Sequence, residues 1–269
     1  MQISPTIRVS AVAIVCTLAA AQGPLAMLTT ASRIIPPSSS YRAPSTERLV
    51  SSVQWHMFNA GTATIMMQRD GRREHLSSTA DSQGMASKFL RVHDTFDANI
   101  DPRTFCTQDI SKHNEEGARR MERKIYFDYP HAKSRVDDKD LKTGNLKHAE
   151  FDIPSCVSDV VSGFFYARTL PLRPGYSQVF PVNDGGKTTD VKLEAESFEK
   201  IKGPSGEFQT LRVKAAPISG PMTGKAELTV WLTEDARRVP VQMKSKLGFA
   251  TLLFQLREIE PPPTATPTH

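Results

Sequence analysis

The sequence has few of the residues that build recognisable active sites. It contains three cysteines in 269 residues, and aromatic residues make up only 7% of the chain. No close pair of histidines or cysteines has the spacing of a zinc site, and no Gly-x-Ser-x-Gly element marks a nucleophilic serine. We therefore single out no catalytic, cofactor-binding or metal-binding residue. A non-catalytic role is favoured, and an enzyme of hydrolase type stays open.

Long runs of one charge are also absent from the sequence. The 34 lysines and arginines are nearly balanced by 29 aspartates and glutamates, which leaves a formal net charge of +5. No five consecutive residues carry the same charge, and no basic stripe is interleaved with aromatic residues. Nucleic-acid-binding surfaces usually show such a pattern, so we expect no nucleic acid among the partners.

A long uninterrupted apolar run lies near the N-terminus. Val9–Ala20 follows Arg8 and is uncharged, as in a secretory signal peptide, and it is too short for a stable membrane anchor. Ala19–Ala21 offers a cleavage site, so we expect residues 1–21 to be removed. The mature protein is then expected to be periplasmic or secreted, without a transmembrane anchor. Lipid attachment at Cys16 is not expected, because a small residue should precede that cysteine and Val15 stands there.

The rest of the chain divides into a linker, one domain and a tail. Residues 22–47 are rich in Pro, Ser, Thr and Ala, which predicts a flexible linker, and residues 261–269 (PPPTATPTH) predict a disordered tail. Between them, apolar and polar residues alternate in short runs that are separated by glycine-containing turns. This pattern predicts a single mainly β domain at 48–260, in which a curved antiparallel sheet forms an open or half barrel.

One segment of this domain, CVSDVVSGFFYART, has helical rather than strand periodicity. Its large apolar residues recur three and four positions apart, which places them on one stripe of a helix; they are Val157, Val160, Val161, Phe164 and Phe165. We predict a helix at about 156–169, with Ser155 as its N-cap and a stop at Pro171. The concave side of the sheet is the natural partner for so apolar a stripe, and the helix is expected to complete the core.

The two remaining cysteines, Cys106 and Cys156, form an even pair in a protein expected to be exported. A disulfide between them would close a loop of about 50 residues and stabilise the fold by about 4 kcal/mol. The alternative is two unpaired thiols packed as small apolar groups. The sequence leaves both possibilities open, because it does not place the two Cβ atoms within reach of each other.

Several residues are candidates for ligand contacts or for structural ion pairs. Arg168, near the end of the predicted helix, could pair with an acid on the sheet or with an anionic ligand head group. Asp235 lies in a turn where it can accept bonds from its own backbone, while Arg238 contacts a neighbouring element. The full set of candidates is Asp159, Phe164, Phe165, Tyr166, Arg168, Arg173, Trp231, Asp235 and Arg238.

Two motifs carry a family resemblance. The element D-x-x-S-x-x-x-x-x-R starts at Asp159, and the element W-L-x-x-D-x-R-R-x-P starts at Trp231. With these, the chain from Val50 to Leu256 resembles an exported bacterial family catalogued as domain of unknown function 3108. The resemblance implies an exported, β-rich protein and transfers no catalytic residue. In expected shape the chain is also similar to the half-barrels of periplasmic lipoprotein carriers, in which a sheet wraps over helices.

Three classes of function remain, and each predicts a different structure. A carrier of an apolar or lipid-like ligand should have a cavity larger than packing requires, next to Phe164 and Phe165. A structural or assembly factor that binds an envelope protein should have a filled core and an exposed apolar patch or open sheet edge. An enzyme should have a cleft with convergent titratable groups. We rank them in this order.

Overall fold

The fold is that of a computed structural model, which describes residues 32–42, 44–70, 73–220, 222–248 and 250–260. The predicted signal peptide, Cys16 and the predicted tail lie outside these ranges. The described chain consists of fourteen strands, two α-helices and one 3-10 turn at Tyr129–His131. In chain order the elements are β1 (Thr46–Trp55), β2 (Phe58–Asp70), β3 (Arg73–Ser82), α1 (Gly84–Phe89), β4 (Val92–Ile100), β5 (Thr107–Glu116), β6 (Arg119–Asp128), β7 (Lys133–Asp140), β8 (Leu146–Asp152), α2 (Val160–Thr169), β9 (Ser177–Asp184), β10 (Lys187–Gly203), β11 (Gly206–Pro217), β12 (Ala226–Thr233), β13 (Pro240–Leu247) and β14 (Ala250–Glu260).

All fourteen strands belong to one antiparallel sheet with the order β8-β7-β6-β5-β4-β3-β2-β1-β14-β13-β12-β11-β10-β9. Strands adjacent in sequence are adjacent in the sheet, and the first strand joins the last, with Arg48 opposite Glu260 and Trp55 opposite Leu252. Within the described ranges the sheet does not close, because β8 and β9 lie at its two edges. The predicted fold class, a curved antiparallel sheet with one central packed helix, is confirmed.

The meander gives the sheet two unlike ends. The α1 end carries the seven connections β1–β2, β3–β4, β5–β6, β7–β8, β9–β10, β11–β12 and β13–β14, and helix α1 is part of the second of these. We call the other end the closed end. It carries the remaining connections, β2–β3, β4–β5, β6–β7, β8–β9, β10–β11 and β12–β13, together with the start of β1 and the end of β14. Each end is therefore a row of turns, and the two rows can differ in chemistry without disturbing the ladder between them.

Helix α2 fills the concave side of the sheet. Phe165 and Tyr166 on α2 and Leu170 just after it are at most 1% exposed, and they join a core cluster with residues from strands on both sides of β1. Gly163 lets the helix approach β9, since a Cβ at this position would lie 3.4 Å from the Phe180 ring. The predicted core role of the helix agrees with this packing. Burial of each such aromatic side chain stabilises the fold by about 2–3 kcal/mol.

The start of α2 differs from the prediction. The helix begins at Val160, and Asp159 rather than Ser155 is its N-cap. The preceding backbone is extended because the sheet uses it: Val157 O accepts from Thr107 N at 2.9 Å, and Ser158 N donates to Pro181 O at 3.0 Å. These bonds compete with the first helical turn. Val157 is consequently buried outside the helix, whereas Val160 is 54% exposed.

Residues 32–42 fall within the predicted linker, yet they pack on the domain and are not a flexible linker. Their backbone follows the closed end, where Ser38 N donates to Thr169 O at 2.7 Å and Arg42 N donates to Ala236 O at 2.9 Å. Ile34 and Ile35 pack against the core cluster. The Pro- and Ser-rich composition misled the prediction, because two isoleucines and four backbone bonds to other elements anchor this stretch.

The cysteine pair forms a disulfide. Cys106, just before β5, is bonded to Cys156, just before α2, with 5.1 Å between their Cα atoms. The extended backbone at 157–158 lies between β5 and β9 and bonds to both. The disulfide therefore ties the approach to α2 to the sheet and confirms the first of the two alternatives left open above.

Candidate functional site

Arg168, at the end of α2, and the β12–β13 turn meet at the closed end, in a buried ionic cluster. Arg168 Nη1 donates to Glu47 Oε2 at 2.6 Å and Nη2 donates to Glu47 Oε1 at 3.2 Å, and the two side chains are 0% and 1% exposed. Nη2 also donates to Arg237 O at 2.9 Å. The sequence therefore predicted the right kind of partner for Arg168, an acid on the sheet, without identifying Glu47.

Arg238 and Asp235 shape the turn that covers this cluster. Asp235 Oδ1 accepts from the backbone N of Arg237 and of Arg238, at 2.8 and 3.2 Å, as predicted for a turn aspartate. Arg238 has a positive φ of 49°, and its guanidinium donates to the carbonyls of Arg168 and Leu170 at the end of α2. A cation at this position stabilises the negative end of the helix. Burial lowers the pKa of Arg238.

Tyr41 and a second acid complete the cluster. Tyr41 is buried beside the Arg168 guanidinium, and its burial raises the pKa of the phenol. Glu74 is 1% exposed and accepts from Arg69 Nη2 at 2.9 Å, while its Oε1 has no partner among the described residues. Sequence analysis missed Tyr41, Glu47 and Glu74. No local motif marks them, because the chain folds them together from the predicted linker, β1 and β3.

Asp159 organises a second buried polar group, at the start of α2. Its Oδ1 accepts from Val161 N at 2.8 Å and from Ser162 N at 2.9 Å. Its Oδ2 accepts from the hydroxyls of Thr107 and Ser162. The carboxylate thus caps the helix and bonds it to β5. These bonds use the acceptor capacity of Asp159, so the residue is a structural cap with no free oxygen directed at a ligand.

The remaining sequence candidates do not converge on one site. Trp231 is 8% exposed and donates from Nε1 to Glu199 Oε2 at 2.8 Å, which lowers the pKa of that carboxyl. It belongs to a smaller apolar cluster with Leu49, Val239, Val241 and Leu256. Arg173 is exposed, in the loop after α2. Phe164, Phe165 and Tyr166 are part of α2 and are packed in the core.

The most unusual surface lies at the opposite side of the molecule, on the α1 end. The apolar tip, as we call it, consists of six exposed side chains on two neighbouring connections, β1–β2 and β3–β4; they are Trp55, Met57, Phe58, Met85, Phe89 and Leu90. Met57 is 92% exposed and Phe89 is 82% exposed. The two connections are adjacent, since Gln83 N donates to Ala60 O at 2.9 Å. Sequence analysis did not identify this surface.

Exposed apolar side chains are concentrated at this end as a whole. Fifteen large apolar side chains are exposed in the described part of the chain, and all but four lie in or directly beside the turns of the α1 end; the four are Tyr126, Val160, Phe198 and Ile259. At the closed end, in contrast, residues 32–42 pack along part of the surface and bond to Thr169 and Ala236. Single exposed apolar residues are ordinary, but a cluster confined to one end of a molecule marks an interaction site.

A depression of about 260 Å³ opens beside the start of α2, between the helix and strands β3 to β5. Its wall includes Phe96, Val160 and Val161, together with the Lys112–Asp184 ion pair, whose atoms are 2.6 Å apart. The depression is shallow and its lining is mixed. It is smaller than the usual 300–1,000 Å³ of a pocket for a drug-sized ligand.

No group of three or more His, Cys, Asp or Glu side chains among the described residues is placed to hold a metal ion. No described helix has both the length and the apolar character needed to cross a bilayer.

One solved structure with a similar fold belongs to a bacterial domain of unknown function. A β-barrel-like protein of the DUF1849 domain from Brucella abortus superposes with a TM-score of 0.54 at 8% identity, over 86% of this chain and 99% of that chain. Lower similarity, with a TM-score of 0.31, is found for a Bacteroides fragilis protein described as exported with a YmcC-like fold, at 10% identity over 86% of this chain and 100% of that chain. The first of these supports the fold and nothing further.

No curated protein matches the sequence. The family model described as "Protein of unknown function (DUF3108)" matches residues 50–257, which confirms the resemblance seen in the two sequence motifs. The match covers most of the chain, including α2, the β12–β13 turn and the apolar tip. The chain therefore belongs to the DUF3108 family.

Proposed function

We propose that this protein is a non-catalytic component of the bacterial envelope that acts by binding another envelope component through its α1 end. The observation that carries the proposal is the contrast between the concave side of the sheet and its α1 end. The concave side is filled by α2, whereas the apolar tip is exposed at one end of the same sheet. Export is part of the proposal, and the signal-peptide pattern of residues 1–21 supports it.

The filled interior favours a surface function over an interior carrier function. Phe165, Tyr166 and Leu170 are at most 1% exposed and pack against the strands, so an acyl chain could enter this space only by displacing them. Cores are close-packed, and separating several aromatic contacts costs several kcal/mol. The candidate residues at the closed end are likewise engaged, since Arg168 is paired with Glu47.

The exposed tip favours the same conclusion. Each large apolar side chain left in water forgoes about 1.5–3 kcal/mol of burial. At the closed end, residues 32–42 pack over apolar side chains of the core. The side chains of the apolar tip are exposed instead. Binding a partner there would bury side chains that the fold itself leaves exposed.

The experiment compares where variants of the full chain are found in an exporting bacterium. We expect the wild type to fractionate with the envelope and Met57→Ser/Phe89→Ser to move to the soluble fraction. The matched control is Phe198→Ser, because Phe198 is 52% exposed but lies in the middle of β10. A tip variant that fractionates as the wild type does, while equally abundant and folded, would refute the proposal.

A second candidate function, a carrier of an apolar ligand, is favoured by the depression beside Val160 and Val161. It is tested by native mass spectrometry and organic extraction of the exported protein. A stoichiometric acyl-bearing ligand that is lost in Val160→Asp would support the carrier. The substitution places an acid in the first turn of α2, which suits the helix dipole and should preserve the fold. A bare polypeptide mass would leave the surface function as the better explanation.

A further inference from the structure

The helix α1 lies next to β2 and buries none of its own side chains. It has six residues, Gly84–Phe89, none of which is buried. Met85 and Phe89 are four positions apart and therefore lie on the same side of the helix. So short a helix is marginal by itself in water, and packing of an apolar face normally stabilises it. Met85 is 60% exposed and Phe89 is 82% exposed, so this face is left largely in water.

The residues between the strands at the α1 end carry positive charge only, whereas acids stand directly beside three of these turns, at Glu116, Asp140 and Asp184. Four cations lie within the seven connections, Lys88, Arg91, Lys142 and Lys225, and the sequence of these connections contains no aspartate or glutamate. All four are exposed, and none forms an ion pair with the described residues. The connections at the closed end carry both signs, as in the β12–β13 turn with Asp235 and Arg237.

Cations directly flank the apolar side chains of the apolar tip. Lys88 directly precedes Phe89 and Leu90, and Arg91 directly follows them. Aromatic residues, Met and Arg are enriched in the core of protein–protein interfaces and lysine is depleted there, so only the lysines argue against a protein partner. Apolar and aromatic side chains with flanking cations are instead typical of segments that lie in the interface of a bilayer. Anionic headgroups attract such cations.

The apolar side chains of the α1 end are spread over several turns, which also suits a bilayer surface better than a protein partner. Apolar side chains of the α1 end stand on separate connections, with Leu247 beside the β13–β14 turn and Met222 in the β11–β12 connection. A protein partner would need a matching hollow for each of them. A fluid bilayer surface accommodates separate insertions without such complementarity, and it favours Trp at the headgroup level, as Trp55 would lie.

We infer that the α1 end binds the surface of a bilayer that carries anionic lipid headgroups, with the apolar tip inserted among the lipids and the four turn cations against the headgroups. This inference rests on the proposed function, since it names the partner of the same surface. The closed end then faces away from the membrane. Asp184, directly before the β9–β10 turn of the α1 end, is part of the wall of the depression beside Val160.

The test uses the purified full chain after removal of its signal peptide, with vesicles of phosphatidylcholine alone and of phosphatidylcholine mixed with phosphatidylglycerol. We expect sedimentation with the anionic vesicles and a loss of binding as salt is added. Lys88→Gln and Arg91→Gln should each weaken this binding by about fivefold. Met57→Ser/Phe89→Ser should weaken it by more than tenfold, and Phe198→Ser, the control, should bind as the wild type does.

Trp55 provides a direct readout of insertion, because the chain has only two tryptophans and Trp231 is buried. Anionic vesicles should shift the tryptophan emission to the blue, and lipids brominated on the acyl chain should quench it. The Trp55→Phe variant should bind at nearly the wild-type level and show neither change. Far-UV circular dichroism of each variant separates weakened binding from misfolding.

Each outcome decides between explanations. Binding that requires anionic lipid, with quenching that depends on Trp55, supports the inference. No binding to either vesicle, equal binding to both, or binding without quenching overturns it. If the tip variants still leave the envelope fraction in cells while purified protein ignores vesicles, the surface function stands and its partner is an envelope protein. If neither assay responds to the tip, both proposals fail.

Discussion

Glu47 and Arg168 form an ion pair across 121 positions of the chain, with 2.6 Å between Oε2 and Nη1 and almost no exposure of either side chain. The pair joins the first strand to the last turn of α2. Tyr41 packs beside the guanidinium and the Arg237 carbonyl accepts a further bond from it, so the charge is enclosed from several sides. The cluster fixes the C-terminal end of α2 within the sheet.

Removing one member of this pair should destabilise the protein strongly. Glu47→Ala leaves the buried Arg168 guanidinium unpaired, and we expect the free energy of unfolding to fall by about 3–5 kcal/mol. Urea unfolding followed by circular dichroism measures it. The double variant Glu47→Leu/Arg168→Met removes both charges and should recover most of that loss. Equal losses in the single and double variants would show that packing, and not the charge, stabilises this site.

The N-terminal end of α2 should depend on Asp159. Asp159→Ala removes two bonds to the helix backbone and leaves the buried hydroxyl of Thr107 without its acceptor, so we expect a loss of about 2–4 kcal/mol. Asp159→Asn keeps one carbonyl oxygen for the cap and should lose less. Asp140→Ala is the matched control. Its carboxylate accepts the same kind of backbone bonds in an exposed turn, and its removal should cost clearly less. Similar losses for both aspartates would contradict the role of burial.

Reduction of the disulfide should lower stability without preventing folding. The Cys106–Cys156 bond spans 50 positions, and its loss should cost about 4 kcal/mol through the entropy of the unfolded chain. The backbone bonds of Val157 and Ser158 to β5 and β9 remain in the reduced protein and should keep α2 in place. Urea midpoints of the oxidised protein and of Cys106→Ser/Cys156→Ser measure the difference. An unchanged midpoint would mean that the unfolded chain is already constrained in this region.

The sequence allowed the fold class, the central helix and some members of each polar cluster to be predicted, because alternation, helical spacing and turn chemistry are local signals. It did not reveal Glu47, Tyr41 or Glu74, since their role arises only when residues 32–42, β1, β3 and the end of α2 come together. The helix start was misplaced because Thr107 and Pro181, distant in sequence, bond to the backbone of Val157 and Ser158. The apolar tip was missed for a similar reason: each of its residues is unremarkable in its own turn.

Tyr166 should make stability depend on alkaline pH. Its hydroxyl accepts from Ile35 N at 2.9 Å, and burial raises the pKa of this phenol to about 12 from a usual value of 10.0. Below about pH 10 the hydroxyl is neutral in the folded and unfolded chains, and the contribution of Tyr166 is fully present. Between about pH 10 and 12 the unfolded chain loses the proton and the folded chain retains it. Stability is therefore lost across this window, by about 2–3 kcal/mol at most.

The variant Tyr166→Phe isolates this effect. Near neutral pH it should be less stable than the wild type by about 1 kcal/mol, because Ile35 N loses its acceptor. As the pH rises from about 10 to 12, ionisation of Tyr166 should lower the free energy of unfolding of the wild type, and the variant has no such group to ionise. The stability advantage of the wild type over the variant should therefore shrink and then reverse. Tyr41 and Tyr129, whose pKa values burial also raises, are present in both proteins and cancel. A difference that stays constant across the window would mean that Tyr166 ionises alike in the folded and unfolded chains, and residues 32–42 would then not seal its hydroxyl from water.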